Sequence, residues 1–154
     1  NNRYAISVPL EKQMGVESVA SRAVGYGFPG VQVDGTDVGA VYEVTNVAIE
    51  RARAGDGPTL IEASVERLLP HTTDDDHTRY RSSEDIVQML NRDPIRILAE
   101  LLKRRGQLTD SGDEEIHALA KKRVNLATDT VDAEPYPSVE SMFDHVIDSS
   151  GGHS

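Results

Sequence analysis

"VQVDGTDVGAVYEVTNVAIERARAGDGPTLIEASV", residues 31 to 65, is the stretch that decides the fold. It opens with Val31–Val33, which predicts a strand, and closes with Thr59–Val65, which predicts another. Between them, Asp37 is a good N-cap for a helix from Val38 to about Ala54, whose valines recur at spacings of three and four. A strand, a helix and a strand with short connections predict a right-handed βαβ unit with parallel strands.

Outside this unit, the chain predicts one more strand and several helices. Because parallel strands are buried on both faces, helices must cover the sheet from both sides. We therefore expect an α/β fold with a doubly wound parallel sheet, of which this chain supplies two to three strands followed by a helical C-terminal region. The other predicted elements are a strand at Tyr4–Val8 that Pro9 stops, helices at Val19–Tyr26, Ser83–Leu90, Pro94–Arg105, Asp113–Ala133 and Ser138–Asp148, and a disordered tail over residues 149–154.

Composition limits the class of protein. A net charge of −10 argues against a nucleic-acid surface, which needs basic patches. No apolar run approaches the ~18 residues of a membrane span, and the lack of cysteine fits a reducing compartment. We therefore expect a cytoplasmic protein that binds neither nucleic acid nor membrane. Only 38% of the 154 residues are hydrophobic and 5% aromatic, which is little for a self-sufficient core.

A long charged connection, "ERLLPHTTDDDHTRYRS", follows the last predicted strand from Glu66 to Ser82. Open α/β sheets bind ligands at the carboxyl ends of their strands. Three interpretations are open: a solvated surface loop, a metal site from His71, aspartates 74–76 and His77, or a cofactor-facing loop in which His71 points inward. In the third, charge-assisted bonds between aspartates and arginines fix the shape of the loop. The spacing matches no standard metal-ligand pattern, which argues against the second.

Asn1 and Asn2 precede the first predicted strand. Asparagines at a strand end are most often turn formers, through bonds from the side chain to the main chain. Alternatively, an asparagine oxygen and a nearby main-chain carbonyl bind a hard cation such as magnesium, which prefers oxygen ligands and often holds a phosphate as well. The residues alone leave both interpretations open.

Four segments, "NNRYAISVP", "GYGFPGVQVDGTD", "GPTLIEASVERLLPHTTDDD" and "YRSSED", occur in an order and spacing typical of one family. The sequence resembles the alpha subunit of the thiamine-diphosphate-dependent 2-oxo acid dehydrogenases, and most of all the bacterial branched-chain members. The resemblance implies the C-terminal part of a thiamine-diphosphate-binding fold: residues 1–82 as the rear part of the cofactor-binding domain, with a cofactor loop at 66–82, and residues 83–148 as the helical region. It also implies that the sequence begins inside the family's cofactor motif, so we expect it to be the second part of a longer subunit.

The resemblance gives roles to individual residues. Asn2 falls on the second asparagine of the motif, whose side-chain oxygen is a magnesium ligand, and the main-chain carbonyl of Tyr4 is implied to be another. Arg3 stands where the family often has glycine, so the Tyr4 ligand depends on a backbone angle that arginine tolerates. His71 falls on the loop histidine that approaches the diphosphate and the reacting end of the cofactor. It is the implied catalytic residue and, with Asn2 and Tyr4, an implied cofactor-binding residue.

The implied cofactors are thiamine diphosphate and Mg²⁺. The implied reaction is oxidative decarboxylation of a 2-oxo acid, branched-chain by preference, with transfer of the acyl unit to a lipoyl group. The implied partners are a beta subunit, in an α2β2 heterotetramer, and the lipoyl acyltransferase core. Since the active site of this family lies between alpha and beta subunits, we expect the isolated chain to be inactive. The alternatives are a pyruvate- or acetoin-specific member of the family and a non-catalytic assembly or docking module.

Overall fold

The computed structural model describes residues 1–146. Contacts divide the chain into two compact units, the first covering Asn1–Leu108 and the second beginning at Thr109. The strands are β1 (Tyr4–Ala5), β2 (Val8–Pro9), β3 (Gly30–Asp34) and β4 (Leu60–Ser64), and the α-helices are α1 (Ala23–Tyr26), α2 (Val38–Arg53), α3 (Ser83–Asn91), α4 (Pro94–Arg104) and α5 (Asp110–Ala133). Short 3-10 turns lie at Leu10–Lys12, Ala20–Arg22, His77–Arg79 and Val139–Phe143.

The predicted βαβ unit is formed by β3, α2 and β4. The two strands pair in parallel, with Val31 opposite Ile61. Asp37 caps α2, because its Oδ1 accepts a hydrogen bond from the Ala40 main-chain nitrogen at 3.1 Å. The parallel pair confirms a mixed α/β chain, whereas the wider doubly wound sheet stays a prediction.

Asn1 lies against the edge of β4 that faces away from β3. Its main-chain nitrogen donates to the Ala63 carbonyl at 2.8 Å, and its carbonyl accepts from the Val65 nitrogen at 2.9 Å. On the other side of β4, the Ser64 carbonyl accepts from the Gly35 nitrogen at 2.7 Å. This alternation is that of parallel pairing, so Asn1 is fixed beside the carboxyl end of β4.

The predicted continuous strand over Tyr4–Val8 is wrong. The chain turns between β1 and β2, which pair with each other in antiparallel fashion. Ile6 in this turn has a φ of 56°, a left-handed conformation that β-branched residues rarely adopt. The Arg67 guanidinium donates to the Ile6 carbonyl at 2.9 Å. A contact from a distant part of the chain thus overrides the strand propensity of the segment.

The two helices that follow the loop, α3 and α4, begin at the residues predicted from the sequence. Ser82 and Asp85 form a capping box at the start of α3. Pro94 occupies the first turn of α4, where Asp93 is the N-cap. The predicted boundary after Ser82 divides the α/β part of the chain from the helical part. The contacts instead place α3 and α4 in the same compact unit as the strands.

In the second unit, α5 begins earlier than the predicted Asp113, because the Thr109 hydroxyl accepts from the Gly112 nitrogen at 3.0 Å and caps the helix there. The predicted helix at Ser138–Asp148 is, within the described residues, the 3-10 segment Val139–Phe143. Its predicted end and the predicted tail at 149–154 lie outside the described residues. None of the helices that the structure describes is long and apolar enough to cross a membrane.

The core of the described residues is thin. Its buried hydrophobic residues are Ala20, Ala23 and Met89, and no large side chain among those described is completely covered. Large apolar side chains remain open to solvent, such as Val24 at 80% and Tyr26 at 72% exposure. The low hydrophobic content of the sequence predicts such a core.

Candidate functional site

Residues Asn1 to Tyr4 form a turn, here called the asparagine turn, that two side chains close. Asn1 Oδ1 accepts from the Arg3 nitrogen at 2.8 Å, and Asn2 Oδ1 accepts from the Tyr4 nitrogen at 3.0 Å. Arg3 has a φ of 63°, in the left-handed region that glycine enters without strain. The position at which the resemblance places glycine therefore keeps a glycine-like backbone in this chain.

Ion pairs join the asparagine turn to the ends of both parallel strands. Arg3 Nη2 lies 2.5 Å from Glu66 Oε1, which also lies 3.4 Å from Arg92 Nε. Arg92 also forms an ion pair with Asp34, in which Nη2 lies 2.9 Å from Oδ1. Hydrogen bonds from Thr36 hold the pKa of Asp34 below its usual range, and Arg92 adds to the effect. Because Arg3 and Arg92 are partly exposed, each pair contributes less than about 1 kcal/mol, and their main effect is to orient the Arg3 side chain.

Glu62 is a buried carboxylate in the middle of β4, with only 5% of its surface exposed. Its Oε1 accepts from Asn1 Nδ2 at 2.6 Å, and its Oε2 accepts from the Ala20 nitrogen at 2.9 Å and from Gln32 Nε2 at 3.4 Å. Burial alone would raise the pKa of Glu62, but these hydrogen bonds outweigh it and lower the pKa. Sequence reasoning missed this residue, although a charge at the centre of an apolar strand is a signal because acids are rarely buried without partners.

The asparagine turn presents oxygens that fit a magnesium ion. Asn2 Oδ1 accepts one hydrogen bond, and an amide oxygen has two lone pairs, so one remains for a cation. The Tyr4 nitrogen donates to Asn2 Oδ1, so the main chain of Tyr4 lies beside this side-chain oxygen. Two neutral oxygens would supply part of the oxygen ligands that Mg²⁺ prefers, and phosphate and water would supply the others. The assignment of Asn2 and Tyr4 as ligands stays a prediction.

The metal interpretation of the loop at 66–82 is wrong. Across residues 1–146, no group of three or more His, Cys, Asp or Glu side chains is placed to hold a metal ion, so His71, aspartates 74–76 and His77 form no such site. Asp76 instead caps the 3-10 turn at His77–Arg79, because its Oδ1 accepts from the Thr78 nitrogen at 3.1 Å and from the Thr78 hydroxyl at 2.6 Å.

Asp75 closes this loop. Its Oδ2 accepts from the His71 main-chain nitrogen at 2.7 Å and from the Tyr80 hydroxyl at 2.6 Å. Arg67 Nη2 lies 3.9 Å from the same oxygen and donates to the Tyr80 hydroxyl at 2.6 Å. An aspartate and an arginine thus fix the shape of the loop, as the cofactor-loop interpretation predicts. The His71 residue is exposed, and its role toward a cofactor stays a prediction.

Aromatic rings connect the loop to the asparagine turn. The ring centroids of Tyr4 and Tyr80 are 5.7 Å apart. The Arg81 guanidinium, in a residue only 6% exposed, lies 4.7 Å from the centroid of the Tyr4 ring. A contact path therefore runs from Tyr4 through Tyr80 and Asp75 to the main chain of His71. The structure therefore links Tyr4 to the His71 main chain through two side chains, although no hydrogen bond within residues 1–146 joins the His71 side chain to the turn.

A sequence model of the family described as "Dehydrogenase E1 component" matches residues 1–140. This chain belongs to that family. The match covers the asparagine turn, the βαβ unit, the loop at 66–82 and α5. Enzymes of the E1 component family depend on thiamine diphosphate, so the residues of the contact path lie in a chain whose family uses that cofactor.

The names of similar proteins match the family that the sequence resembles. The chain is 44% identical over 146 residues to "2-oxoisovalerate dehydrogenase subunit alpha" of Bacillus subtilis, which covers 95% of this chain and 44% of the relative. It is 46% identical over 143 residues to "3-methyl-2-oxobutanoate dehydrogenase subunit alpha" of Mycobacterium tuberculosis, covering 93% of this chain and 39% of the relative. The chain therefore spans 39–44% of the length of these relatives. The resemblance to bacterial branched-chain alpha subunits is confirmed.

The loop at 66–82 is expected to stay closed from about pH 4 to about pH 10. The Tyr80 hydroxyl and then the His71 nitrogen hold the pKa of Asp75 below its ordinary value of 3.8, so the contribution of Asp75 to stability is present above that value and is lost as the pH falls through the lowered pKa. Burial and the bond to Asp75 raise the pKa of Tyr80 above 10.0, so its contribution is lost only as the pH rises through the raised value.

Replacing the central aspartate tests this loop closure. We expect Asp75→Ala to speed the hydrogen exchange of the His71 amide more than about tenfold at pH 7, because the amide loses a charged acceptor. The matched control is Asp74→Ala, since Asp74 is an exposed neighbour in the same loop. Equal exchange rates in the two variants would contradict the role of Asp75.

Proposed function

We propose that this chain acts in the alpha subunit of a thiamine-diphosphate-dependent 2-oxo acid dehydrogenase. The enzyme decarboxylates a branched-chain 2-oxo acid oxidatively and transfers the acyl unit to a lipoyl group. The observation that carries the proposal is the contact path, which joins the asparagine turn to the His71 loop in a chain of the E1 component family. The branched-chain substrate is supported by the printed names of the two relatives that are 44% and 46% identical.

In this proposal the asparagine turn holds the metal. When bound, thiamine diphosphate supplies the electron sink for decarboxylation. Asn2 Oδ1 and the Tyr4 carbonyl would hold the Mg²⁺ that accompanies its diphosphate. Two side-chain bonds already close the turn, so its oxygens need little rearrangement to bind the ion.

His71 is proposed to exchange a proton at the reacting centre. Asp75 fixes the main chain of His71 at 2.7 Å, while the exposed imidazole stays accessible to a bound ligand. Histidine suits this role because it is the side chain that enzymes use most often as a general acid or base.

The proposed assembly is an α2β2 heterotetramer with the beta subunit, bound to the lipoyl acyltransferase core in the cytoplasm. Its support in this chain is the exposed apolar surface around Val24 and Tyr26, where Tyr26 stacks on Phe28 with ring centroids 5.7 Å apart. Exposed apolar patches of this kind mark surfaces that other protein covers.

A pyruvate-specific enzyme is a second candidate. The chain is 40% identical over 145 residues to "Pyruvate dehydrogenase E1 component subunit alpha" of Staphylococcus epidermidis, covering 94% of this chain and 39% of the relative. This identity is only slightly below that of the relatives named for branched-chain substrates.

Comparing two substrates tests the proposed function. The complete enzyme is supplied with thiamine diphosphate and Mg²⁺, and the reduction of an artificial electron acceptor is followed with 3-methyl-2-oxobutanoate or pyruvate. We expect kcat/KM to be at least about tenfold higher for the branched acid, which is the discrimination that additional methyl groups in an apolar pocket provide. A preference for pyruvate would favour the second candidate, and no turnover of either acid would refute the enzyme proposal.

Asn2→Ala is expected to weaken Mg²⁺ binding at least about tenfold, because it removes one oxygen ligand. The measurement is calorimetric titration of the complete enzyme with Mg²⁺ in the presence of thiamine diphosphate. Asn125→Ala, on the exposed surface of α5, is the matched control and should leave the titration unchanged. Unchanged binding by Asn2→Ala would exclude Asn2 as a ligand.

A further inference from the structure

Glu62 lies beneath the asparagine turn and has no part in the steps above. Both of its carboxylate oxygens accept hydrogen bonds, Oε1 from Asn1 and Oε2 from Ala20 and Gln32. All of its partners are therefore donors. A buried group with this arrangement must be an acceptor on both sides, which a carboxylate provides and an amide does not.

The bond to Glu62 fixes the orientation of the Asn1 amide. Only the Nδ2 end of that amide can donate to a carboxylate, so the Oδ1 end is turned away from Glu62. That oxygen accepts from the Arg3 nitrogen at 2.8 Å. The Glu62 carboxylate therefore orients the Asn1 amide, and the Asn1 amide in turn holds the main chain of Arg3.

Arg3 is the point at which the turn needs support. Its φ of 63° lies in the left-handed region, which is unfavourable for every residue except glycine, and the Asn1 bond stabilises this conformation directly. The next residue is Tyr4, whose nitrogen is bonded to Asn2 Oδ1. If Arg3 relaxes, the main chain of Tyr4 moves relative to the Asn2 side chain to which it is bonded.

We propose that Glu62 is a positioning residue that holds the Asn1 amide, and through it the Asn2–Tyr4 oxygens, in the arrangement that binds Mg²⁺ with the diphosphate. This inference rests on the proposed function. Glu62 also holds the Ala20 nitrogen, and with it the 3-10 turn at Ala20–Arg22. The test must therefore separate an effect that passes through Asn1 from one that passes through Ala20.

Glu62→Gln is the first variant. A glutamine has one accepting oxygen, so its NH₂ group meets a donor on the side of either Asn1 or Ala20. We expect the affinity for Mg²⁺ to fall by roughly 10- to 100-fold, as for other residues that orient metal ligands. The affinity is measured by calorimetric titration of the complete enzyme with Mg²⁺ in the presence of thiamine diphosphate. The control is Glu50→Gln on the exposed surface of α2, which should bind as the wild type does.

A double variant separates the two paths. Once Asn1→Ala has removed the intermediate amide, adding Glu62→Gln should cause little further loss of Mg²⁺ affinity, because both changes break the same connection. A full additional loss in the double variant would show that Glu62 acts through Ala20 and would overturn the inference. Should Glu62→Gln fail to fold, Asn1→Ala alone decides, since it leaves the Ala20 bond in place. A loss of at least about tenfold with unchanged unfolding supports the inference, and unchanged affinity refutes it.

Failure of the proposed function gives a different result. If the wild-type enzyme shows no binding heat with Mg²⁺ and thiamine diphosphate, the proposed function fails and the inference fails with it. If the wild type binds and Glu62→Gln binds within about twofold of it, the proposed function stands and the positioning role alone is refuted.

Discussion

His71→Ala is expected to lower the kcat of the complete enzyme by about 10²- to 10⁴-fold, the usual contribution of a positioned acid or base. The loss should occur without a change in folding, because the hydrogen bond that Asp75 makes with His71 is to its main-chain nitrogen and the residue is exposed. Turnover at saturating substrate and the free energy of unfolding are the two quantities to measure.

His117→Ala is the matched control for this prediction. His117 is also exposed, and its Nε2 lies 3.6 Å from Asp113 on α5, in the second unit of the chain. Its replacement should leave kcat unchanged. Should His71→Ala keep a kcat within a few-fold of the control, His71 has no role in proton transfer and the resemblance has misplaced the catalytic residue.

Gly30→Ala is expected to destabilise the first unit by about 3 kcal/mol, the upper end of the usual cost of overpacking. A Cβ at this position would lie 1.9 Å from the Ala20 carbonyl oxygen and 2.7 Å from its carbonyl carbon. Both are main-chain atoms, so no side-chain rotation relieves the clash. The 3-10 turn that contains Ala20 must move, although its nitrogen is bonded to Glu62.

Urea unfolding of the two alanine variants Gly30→Ala and Gly25→Ala measures this effect. Gly25 is also a glycine of the first unit, in α1, and a Cβ there meets no atom within 4 Å. Its replacement should be neutral or stabilising by up to about 1 kcal/mol, because alanine loses less conformational entropy than glycine in a helix. Equal midpoints for the two variants would mean that β3 and the turn at Ala20 do not lie as close as the structure places them.

The βαβ unit could be predicted from the sequence because local rules determine it. The alternation around Val31, the cap at Asp37 and the valine spacing of α2 each involve residues a few positions apart. The capping box at Ser82 is local in the same way. Such patterns survive into the fold because the contacts they predict are made inside one element or between neighbouring ones.

The turn at Ile6 and the role of Glu62 could not be predicted in this way. The Ile6 carbonyl is bonded to Arg67, which is 61 residues further along the chain, and Glu62 is 61 residues from Asn1 and 42 from Ala20. No pattern within a short window reports such partners.

The candidate site depended on the resemblance more than on any spacing. Asn2, Tyr4 and His71 are assigned by the family motif, and the residues alone leave their roles open. Tyr80 and Arg81, which connect the loop to the asparagine turn, lie in a charged segment that is indistinguishable by composition from a solvated surface. Their contacts with Tyr4 show in the structure that this part of the loop meets the asparagine turn.

The Tyr4 ring, which contacts Tyr80 and the Arg81 guanidinium, is a suitable position for a fluorescent probe. The chain contains no tryptophan, so Tyr4→Trp introduces a single indole whose emission can be followed without background from other indoles in this chain. Tryptophan is the strongest aromatic partner for a guanidinium, and the exchange keeps the main-chain carbonyl. Fluorescence from that indole would change if Arg81 and Tyr80 moved away from it, so its intensity reports whether the segment that carries His71 stays against the asparagine turn.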